Sequence, residues 1–147
     1  MAYTQLYYHL VWRTKNSVKA IRQEHERDLY MYLYGYCKSH NYKLLRIGGM
    51  EDHLHLFVEL PSTVCISNVV HDMKITAYNF CKEHRNLFPD FIGWGEGYCA
   101  LSKGDLEKDK IISYIKGQKE HHKNLSFKDE IKALLEECGV PYNEEYL

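Results

Sequence analysis

The sequence lacks the features that mark secreted, zinc-ribbon and membrane proteins. Its five cysteines include no C-x-x-C pair, which argues against a disulfide framework or a zinc ribbon and is typical of a reducing cytosol. No apolar run approaches the length of a membrane span, and the N-terminus lacks the apolar core of a signal peptide. We therefore expect a cytoplasmic protein with no membrane partner.

The sequence also carries almost no net charge, with a formal value of -1 at pH 7. This argues against a wholly basic nucleic-acid binder, because phosphate binding draws on local positive charge. The charges are moderately segregated, so a local phosphate-binding surface remains possible. One basic cluster comprises Arg13, Lys15, Lys19 and Arg22, and a second comprises Lys103, Lys108, Lys110, Lys116, Lys119 and Lys123. The balancing acids gather near the C-terminus, at Asp129, Glu130, Glu136, Glu137, Glu144 and Glu145.

The chain has no internal repeat, low-complexity tract or linker that would divide it. Its 147 residues, 45% of them hydrophobic and 27% charged, are enough for one domain with a real core. We therefore expect a single domain over residues 1–147. The 13 tyrosines can fill a core edge, build a subunit interface or stack on bases, so their number alone decides nothing.

Periodicity and turn residues predict four strands and four helices. The strands are expected over 3–13, 42–47, 51–60 and 91–101, with a turn at Gly48-Gly49 joining the second strand to the third. The helices are expected over 23–40, from a cap at Ser62 or Ser67 to about 84, over 105–122 from a cap at Asp105, and over 126–137 from a cap at Ser126. This order, β-α-β-β-α-β followed by two helices, predicts a ferredoxin-like α+β fold.

The strand over 51–60 carries two histidines among apolar residues. Because side chains alternate along a strand, His53 and His55 share one face, and Leu54, Leu56 and Val58 share the other. We expect helices to cover the leucine face and leave the histidines on the open face. Two imidazoles at this spacing can form half of a metal site, although two hydrogen-bonded or half-exposed histidines would give the same pattern.

The helix over 105–122 offers further candidates for this chemistry. Tyr114 and Gln118 are four residues apart and so share a helix face. The amide oxygen of Gln118 can coordinate a hard cation, which would bring the Tyr114 hydroxyl within a helical turn of the metal. A tyrosine in an amphipathic helix is, however, more commonly a packing residue. His121 and His122 could also be ligands, but the end of a helix favours solvated or phosphate-binding side chains.

Taken together, these motifs resemble a family, the small single-tyrosine transposases of the HUH class found in compact bacterial insertion sequences. The resemblance runs nearly from end to end. It includes the opening strand and basic exit at residues 8–15, the His-hydrophobic-His motif at 52–56, a fourth strand at 94–102, the catalytic helix at 114–122 and the tail at 139–144. Each motif is weak alone, but five in the right order give a strong signal.

The resemblance implies an activity and roles for individual residues. His53, His55 and Gln118 would hold one Mg²⁺ or Mn²⁺, and Tyr114 would attack single-stranded DNA to give a 5′-phosphotyrosine bond and a free 3′-hydroxyl. The implied substrates are DNA hairpins at the ends of a mobile element, and the implied assembly is a homodimer whose catalytic helix can complete the partner's site. Phosphate contacts are expected from Arg13, Lys15, Lys116 and Lys119.

Three other interpretations remain open. A domesticated relative would act on dispersed host repeats with the same residues. A non-catalytic module for single-stranded nucleic acid would use the aromatic sheet for base stacking, but it leaves His53, His55 and the Tyr114–Gln118 pair unexplained. A nucleotide hydrolase of the histidine-triad type needs a third histidine at the position of Phe57.

Overall fold

One antiparallel sheet of four strands forms the centre of the computed structural model, which describes residues 1–122 and 124–147. Lys123 and the side chain of His121 lie outside the described part. The strands are β1 (Tyr7–Arg13), β2 (Lys43–Met50), β3 (His53–Glu59) and β4 (Cys99–Lys103), in the order β2-β3-β1-β4 across the sheet. The helices are α1 (Glu26–Ser39), α2 (Ile66–Glu83), α3 (Lys108–Lys116), α4 (Gln118–His121) and α5 (Phe127–Glu137). The predicted ferredoxin-like α+β fold is confirmed.

The first face of the sheet packs against α1 and α2, as predicted. Leu54, Leu56 and Val58 of β3 are completely buried there. They meet apolar side chains that recur every three or four residues on the two helices, including Leu29, Leu33, Val69, Val70, Met73 and Ala77. The alternation along β3 therefore directs one of its faces into the main core.

The second face of the sheet is not open, which corrects the sequence-based expectation. Ile111 and Ile115 of α3 pack with Tyr7 and Phe57 of the sheet. A second group, in which α5 meets β1 and β4, comprises Val11, Leu101, Ile131, Leu134 and Leu135. His53 and His55 are consequently completely buried. The sequence predicted the C-terminal helices but contained no signal for the face on which they dock.

The two glycines at 48 and 49 belong to β2 and do not form the predicted turn. The turn before β3 is instead made by Glu51 and Asp52. A Cβ atom on Gly48 would lie 2.9 Å from Cγ2 and 2.9 Å from the carbonyl oxygen of Ile115. Gly48 therefore lets α3 approach the strand closely, which is a different use of glycine from the one predicted.

The fourth predicted strand, over 91–101, is largely a loop, and β4 begins only at Cys99. Lys74 of α2 holds this loop: its ammonium group donates to the carbonyl oxygens of Gly95 at 3.0 Å and Gly97 at 2.6 Å. The indole N–H of Trp94 donates in turn to the carbonyl oxygen of Lys74 at 3.0 Å. These contacts place the loop beside the end of β1, where Trp94 makes one bridge to Thr14.

Several predicted helix ends also differ from those in the structure. α2 begins after Cys65 without a side-chain cap, so neither Ser62 nor Ser67 caps it. A 3₁₀ turn over Asp105–Glu107 leads into α3, and the helix predicted over 105–122 is divided at Gly117. Ser126 does cap α5, since its hydroxyl accepts from the Asp129 N–H at 3.2 Å. Across the described residues, no helix combines the length and the apolar character needed to cross a membrane.

Candidate metal centre and nucleophile

β3 and the turn before it orient the first candidate ligand. His53 lies at the start of the strand, and its Nδ1 is 2.7 Å from the carboxylate of the preceding residue, Asp52. A carboxylate that accepts from one ring nitrogen fixes the imidazole and leaves the other nitrogen available for a metal. The Nε2 atom of His53 therefore faces the interior of the site.

The second candidate ligand, His55, is oriented by a residue that the sequence analysis did not single out. Its Nδ1 shares a hydrogen bond of 2.8 Å with Nε2 of His9 on β1, and both side chains are completely buried. Among the described residues, Nδ1 of His9 has no hydrogen-bond partner. The contact forms because β1 and β3 are paired, an adjacency that a single sequence does not reveal.

Gln118, the third predicted ligand, lies with the two histidines in the structure. Its amide oxygen is 3.0 Å from Nε2 of His53, and its side chain is almost completely buried. The residue stands at the first position of α4, directly after the break at Gly117. It lies on the sheet of its own chain, so the predicted set His53, His55 and Gln118 is brought together within one subunit.

Glu130 of α5 is the residue at the middle of the cluster, and the sequence analysis counted it only among the balancing acids. Its Oε1 atom lies 3.3 Å from Nε2 of His53 and 3.2 Å from Nε2 of His55. His122, which was expected to be solvated or to bind phosphate, is mostly buried, and its Nε2 lies 2.7 Å from the same oxygen. The candidate ligand atoms of His53, His55 and Glu130 all lie within 4.8 Å of one another.

A signal for Glu130 was present in the helical pattern of α5. Glu130 lies three residues after Phe127 and four before Leu134, so it shares their apolar stripe. A carboxylate on such a stripe must be buried together with its partners or leave the core. Glu130 is only 1% exposed, whereas Glu136 and Glu137 on the same helix are exposed.

The candidate nucleophile contacts the same carboxylate. The hydroxyl of Tyr114 donates a short hydrogen bond to Oε2 of Glu130, and the amide nitrogen of Gln118 donates to that atom at 2.7 Å. The ring of Tyr114 stands edge-on to the rings of His9 and His55, with centroids 6.0 and 5.8 Å away. Burial raises the pKa of Tyr114, and the hydrogen bond to Glu130 and its charge raise it further.

Burial and neighbouring charges shift the pKa values of Glu130 and the three histidines in different directions. Burial alone would raise the pKa of Glu130, but hydrogen bonds from His53 and His55 hold it well below its usual range. Burial alone would lower the pKa of His53, yet Asp52 and Glu130 raise it to about 9. Burial lowers the pKa of His55, and burial together with His55 lowers that of His9 to about 3.

The predicted DNA-binding residues differ in their exposure and in their contacts within the chain. Arg13 is half-buried at the end of β1, with its guanidinium carbon 5.8 Å from the centre of the Phe127 ring, while Lys15 and Lys116 are exposed. Lys119 is engaged within the chain: its ammonium group lies 2.8 Å from the Glu26 carboxylate and 2.6 Å from the carbonyl oxygen of Gly49. These contacts tie α4 to α1 and β2.

The donor set fits a divalent cation. Two imidazole nitrogens, a carboxylate and an amide oxygen converge in a buried cluster, and this mixture of nitrogen and oxygen ligands suits ions such as Mn²⁺. Two of the ligands are already oriented by hydrogen bonds to their outer ring nitrogens. The same carboxylate also links the cluster to a tyrosine hydroxyl.

Comparisons with known proteins bear on the fold and the family of this chain. Among solved structures, one described as a transposase from Deinococcus radiodurans R1 has a TM-score of 0.63 and 24% identity, over 80% of this chain and 93% of that one. A REP-associated tyrosine transposase bound to a REP hairpin has a TM-score of 0.61 and 11% identity, over 83% and 72% of the two chains. No curated protein matches. The sequence profile described as "Transposase IS200 like" matches residues 2–118. The chain therefore belongs to the IS200-like transposase family.

Proposed function

We propose that this transposase cleaves and rejoins single-stranded DNA through a covalent bond between Tyr114 and a 5′-phosphate. The observation that carries the proposal is the hydrogen bond from the Tyr114 hydroxyl to Glu130, a carboxylate that also contacts His53 and His55. The proposed nucleophile and the candidate metal-ligating groups thus share one carboxylate in a largely buried cluster, which places a hydroxyl beside a site where a metal could assist phosphoryl transfer.

The residues that would hold the metal are His53, His55, Gln118 and Glu130, with Mg²⁺ or Mn²⁺ as the ion. When bound, such an ion would polarise the scissile phosphate and neutralise charge that develops on its oxygens. Asp52 and His9 contribute by holding the two imidazole rings in place from their outer nitrogens. In the sequence-based set, Glu130 was absent; it joins the proposed ligands because its Oε1 atom faces both histidines.

The two oxygens of Glu130 would have different tasks. Oε1 faces the histidines, while Oε2 accepts the hydrogen bond from Tyr114 and orients its hydroxyl, whose proton is released to solvent as the tyrosine oxygen attacks. In the cleavage step a bond forms between the tyrosine oxygen and phosphorus, and the bond from phosphorus to the 3′-oxygen breaks. The leaving 3′-oxygen takes up a proton to become the free hydroxyl. Attack by another 3′-hydroxyl reverses these steps and rejoins the strands.

The proposed substrate is single-stranded DNA carrying a hairpin. Support comes from the family and from the solved neighbour that is bound to a REP hairpin. Arg13, Lys15 and Lys116 are the proposed phosphate contacts, and Lys119 would reach DNA only if its pairing with Glu26 opened. We further propose a homodimer in which each Tyr114 helix can act on its own subunit, since Gln118 lies 3.0 Å from His53 of the same chain.

The test is a covalent capture assay. The protein is incubated with Mn²⁺ or Mg²⁺ and single-stranded oligonucleotides that carry the hairpins flanking its own gene, and protein–DNA adducts are separated under denaturing conditions. We expect an adduct that disappears in Tyr114→Phe and in the presence of EDTA. Tyr142→Phe is the matched control, because Tyr142 lies after α5 and outside the cluster, and it should form the adduct normally. Binding without any adduct would instead favour a non-catalytic nucleic-acid module.

A further inference from the structure

Two adjoining clefts open beside the metal centre and have no role in the chemistry described above. The narrow slot has a volume of about 210 Å³ and lies between the end of β1, the loop before β4 and α5. The wide cleft has a volume of about 1120 Å³ and lies on the outer side of the same loop. The two adjoin, since both are lined by Arg13, Glu96, Gly97 and Tyr146.

The narrow slot is directly connected to the candidate ligands. Phe127 lines it, and the centre of that ring is 4.5 Å from the centre of the His53 ring. Arg13, at the other side of the slot, is paired with His53 in the register of β1 and β3. A molecule in the slot would therefore lie one side chain away from the metal ligand His53.

The lining of the slot suits a flat molecule with apolar faces. Its floor is made by apolar side chains of β1 and α5, Val11, Ile131 and Leu135, all of them buried. Its rim carries the aromatic rings of Tyr98 and Tyr146, which are 45% and 78% exposed. Exposed aromatic rings beside a cationic groove are the usual means of holding unpaired bases, because every base has a face that can stack.

The two clefts carry both cationic side chains, which can bind phosphates, and carboxylates, which can accept from the amino groups of bases. Arg13 lines both clefts and Lys15 lines the wide cleft only, so cationic groups extend from the slot into the wide cleft. Glu96 and Glu145 also line the clefts and would repel phosphate, but a carboxylate can accept hydrogen bonds from the amino groups of bases. The Lys74 ammonium, bonded to the carbonyls on both sides of Glu96, partly offsets that carboxylate.

We propose that the narrow slot binds one unpaired base of the single-stranded DNA next to the scissile phosphate, while Arg13 and Lys15 hold the strand's phosphates in the wide cleft. This inference rests on the proposed function and adds a specific position for the strand. Tyr98 and Phe127 supply the stacking surfaces, and Lys74 acts as a positioning residue because it holds the loop that carries Tyr98.

The test uses single-stranded oligonucleotides in which 2-aminopurine, a base whose fluorescence is quenched by stacking, replaces one unpaired base at a time. The protein is the full chain with Tyr114→Phe, which removes cleavage, and the oligonucleotides carry a hairpin from the gene's flanks with its unpaired tail. We expect protein-dependent quenching at one or two neighbouring positions only. Adding Tyr98→Ala should restore fluorescence there and weaken binding by about tenfold.

Two further variants make the test specific. Adding Arg13→Gln should weaken binding to all sequences and lower the slope of log affinity against log salt by about one. Adding Tyr34→Ala, which removes a ring 47% exposed on α1 and outside both clefts, should change neither measurement. Equal signals at every position, or quenching that survives Tyr98→Ala, would overturn the slot as a base site. The capture assay on the unmodified chain is read separately, so an adduct formed without position-specific quenching overturns the slot alone.

Discussion

Glu130 connects the two halves of the candidate site. Its Oε1 atom faces His53 and His55, and its Oε2 atom accepts from Tyr114 and Gln118. Four side chains from one strand, β3, and two helices, α3 and α4, thus contact one carboxylate, whose own pKa the histidines hold low although burial would raise it. Removing this charge should therefore change metal binding more than any other change in α5.

We expect Glu130→Gln to weaken Mn²⁺ binding by about tenfold or more, because an amide oxygen carries no charge and the histidines lose their anionic partner. Isothermal titration of the metal-free protein with Mn²⁺ measures this. Glu137→Gln is the matched control, since Glu137 lies on the same helix but is exposed and pairs with Lys110 at 3.3 Å. Equal affinities for the two variants would remove Glu130 from the ligand set.

His9 should control metal affinity without touching the metal. A His55 ring that uses Nε2 as a ligand must carry its proton on Nδ1, and Nε2 of His9 at 2.8 Å is the acceptor for that proton. We expect His9→Phe to weaken Mn²⁺ binding by about 10- to 100-fold. His9→Gln keeps an acceptor and should recover part of the loss. Unchanged affinity in His9→Phe would show that the contact does not orient His55.

The buried histidines should give the metal-free protein a stability maximum near pH 6.5. The pKa values of His9, at about 3, and of His55 are lowered from 6.5, so the unfolded chain binds more protons below pH 6.5 and stability falls as the pH drops. The pKa of His53 is raised from 6.5 to about 9, so its contribution is complete below pH 6.5 and is lost as the pH rises towards 9.

Urea unfolding in EDTA between pH 5 and 9 measures this dependence. Each of these groups should change the free energy of unfolding by about 1.4 kcal/mol per pH unit within its own range. His9→Phe should reduce the slope on the acid side to the part that His55 contributes and leave the alkaline side unchanged. A curve that rises or falls steadily across the whole range would contradict these protonation states.

At the level of secondary structure elements, the position of α3 depends on a single glycine. A Cβ atom on Gly48 would lie 2.9 Å from two atoms of Ile115, including its backbone carbonyl oxygen, so α3 would have to move away from β2. We expect Gly48→Ala to lower the free energy of unfolding by about 1–3 kcal/mol and to reduce adduct formation, because α3 carries Tyr114. Thermal unfolding and the capture assay measure the two effects.

Gly35→Ala is the matched control for this helix displacement. Gly35 lies within α1, and a Cβ atom there would have no neighbour within 4 Å. Alanine should therefore raise stability by up to about 1 kcal/mol through helix propensity and leave adduct formation unchanged. A loss of stability in Gly35→Ala equal to that in Gly48→Ala would show that contact with Ile115 is not the cause.

The element order could be predicted from the sequence, because hydrophobic periodicity and cap residues are local signals. Ser126 was correctly identified as the cap of α5, and the alternation along β3 correctly divided its leucines from its histidines. Gly48-Gly49 was wrongly predicted as a turn and residues 91–101 were wrongly predicted as one strand, because glycine occurs in turns, close approaches and loops alike. Only the tertiary contacts with Ile115 and Lys74 distinguish these uses.

The candidate site was likewise predictable only where local sequence patterns or the family resemblance pointed to its residues. His53, His55 and Gln118 were named from a strand period, a helix spacing and a family resemblance, and they lie together. His9 and Glu130 were missed because their roles follow from the pairing of β1 with β3 and the docking of α5. The apolar stripe of α5 could have indicated that Glu130 is buried, but the partners of His9 and Glu130 follow only from these long-range contacts.

At the level of the whole molecule, the centre joins stretches of chain that are far apart in sequence. Phe57 is completely buried and packs on Tyr7 with ring centres 5.5 Å apart, so this position serves the core and supplies no third histidine. The proposed nucleophile comes from α3, the central carboxylate from α5 and two candidate ligands from β3. Docking of the C-terminal helices on the sheet is therefore what assembles the site.

The identity of the residue joined to DNA is the decisive observation. After the capture assay, nuclease treatment should leave a nucleotide remnant on the protein, and trypsin should release residues 111–116, which follow Lys110 and end at Lys116, as one peptide. We predict that tandem mass spectrometry finds the remnant on Tyr114 within that peptide. A remnant on any other residue, or an adduct that forms equally well in Tyr114→Phe, would contradict Tyr114 as the nucleophile.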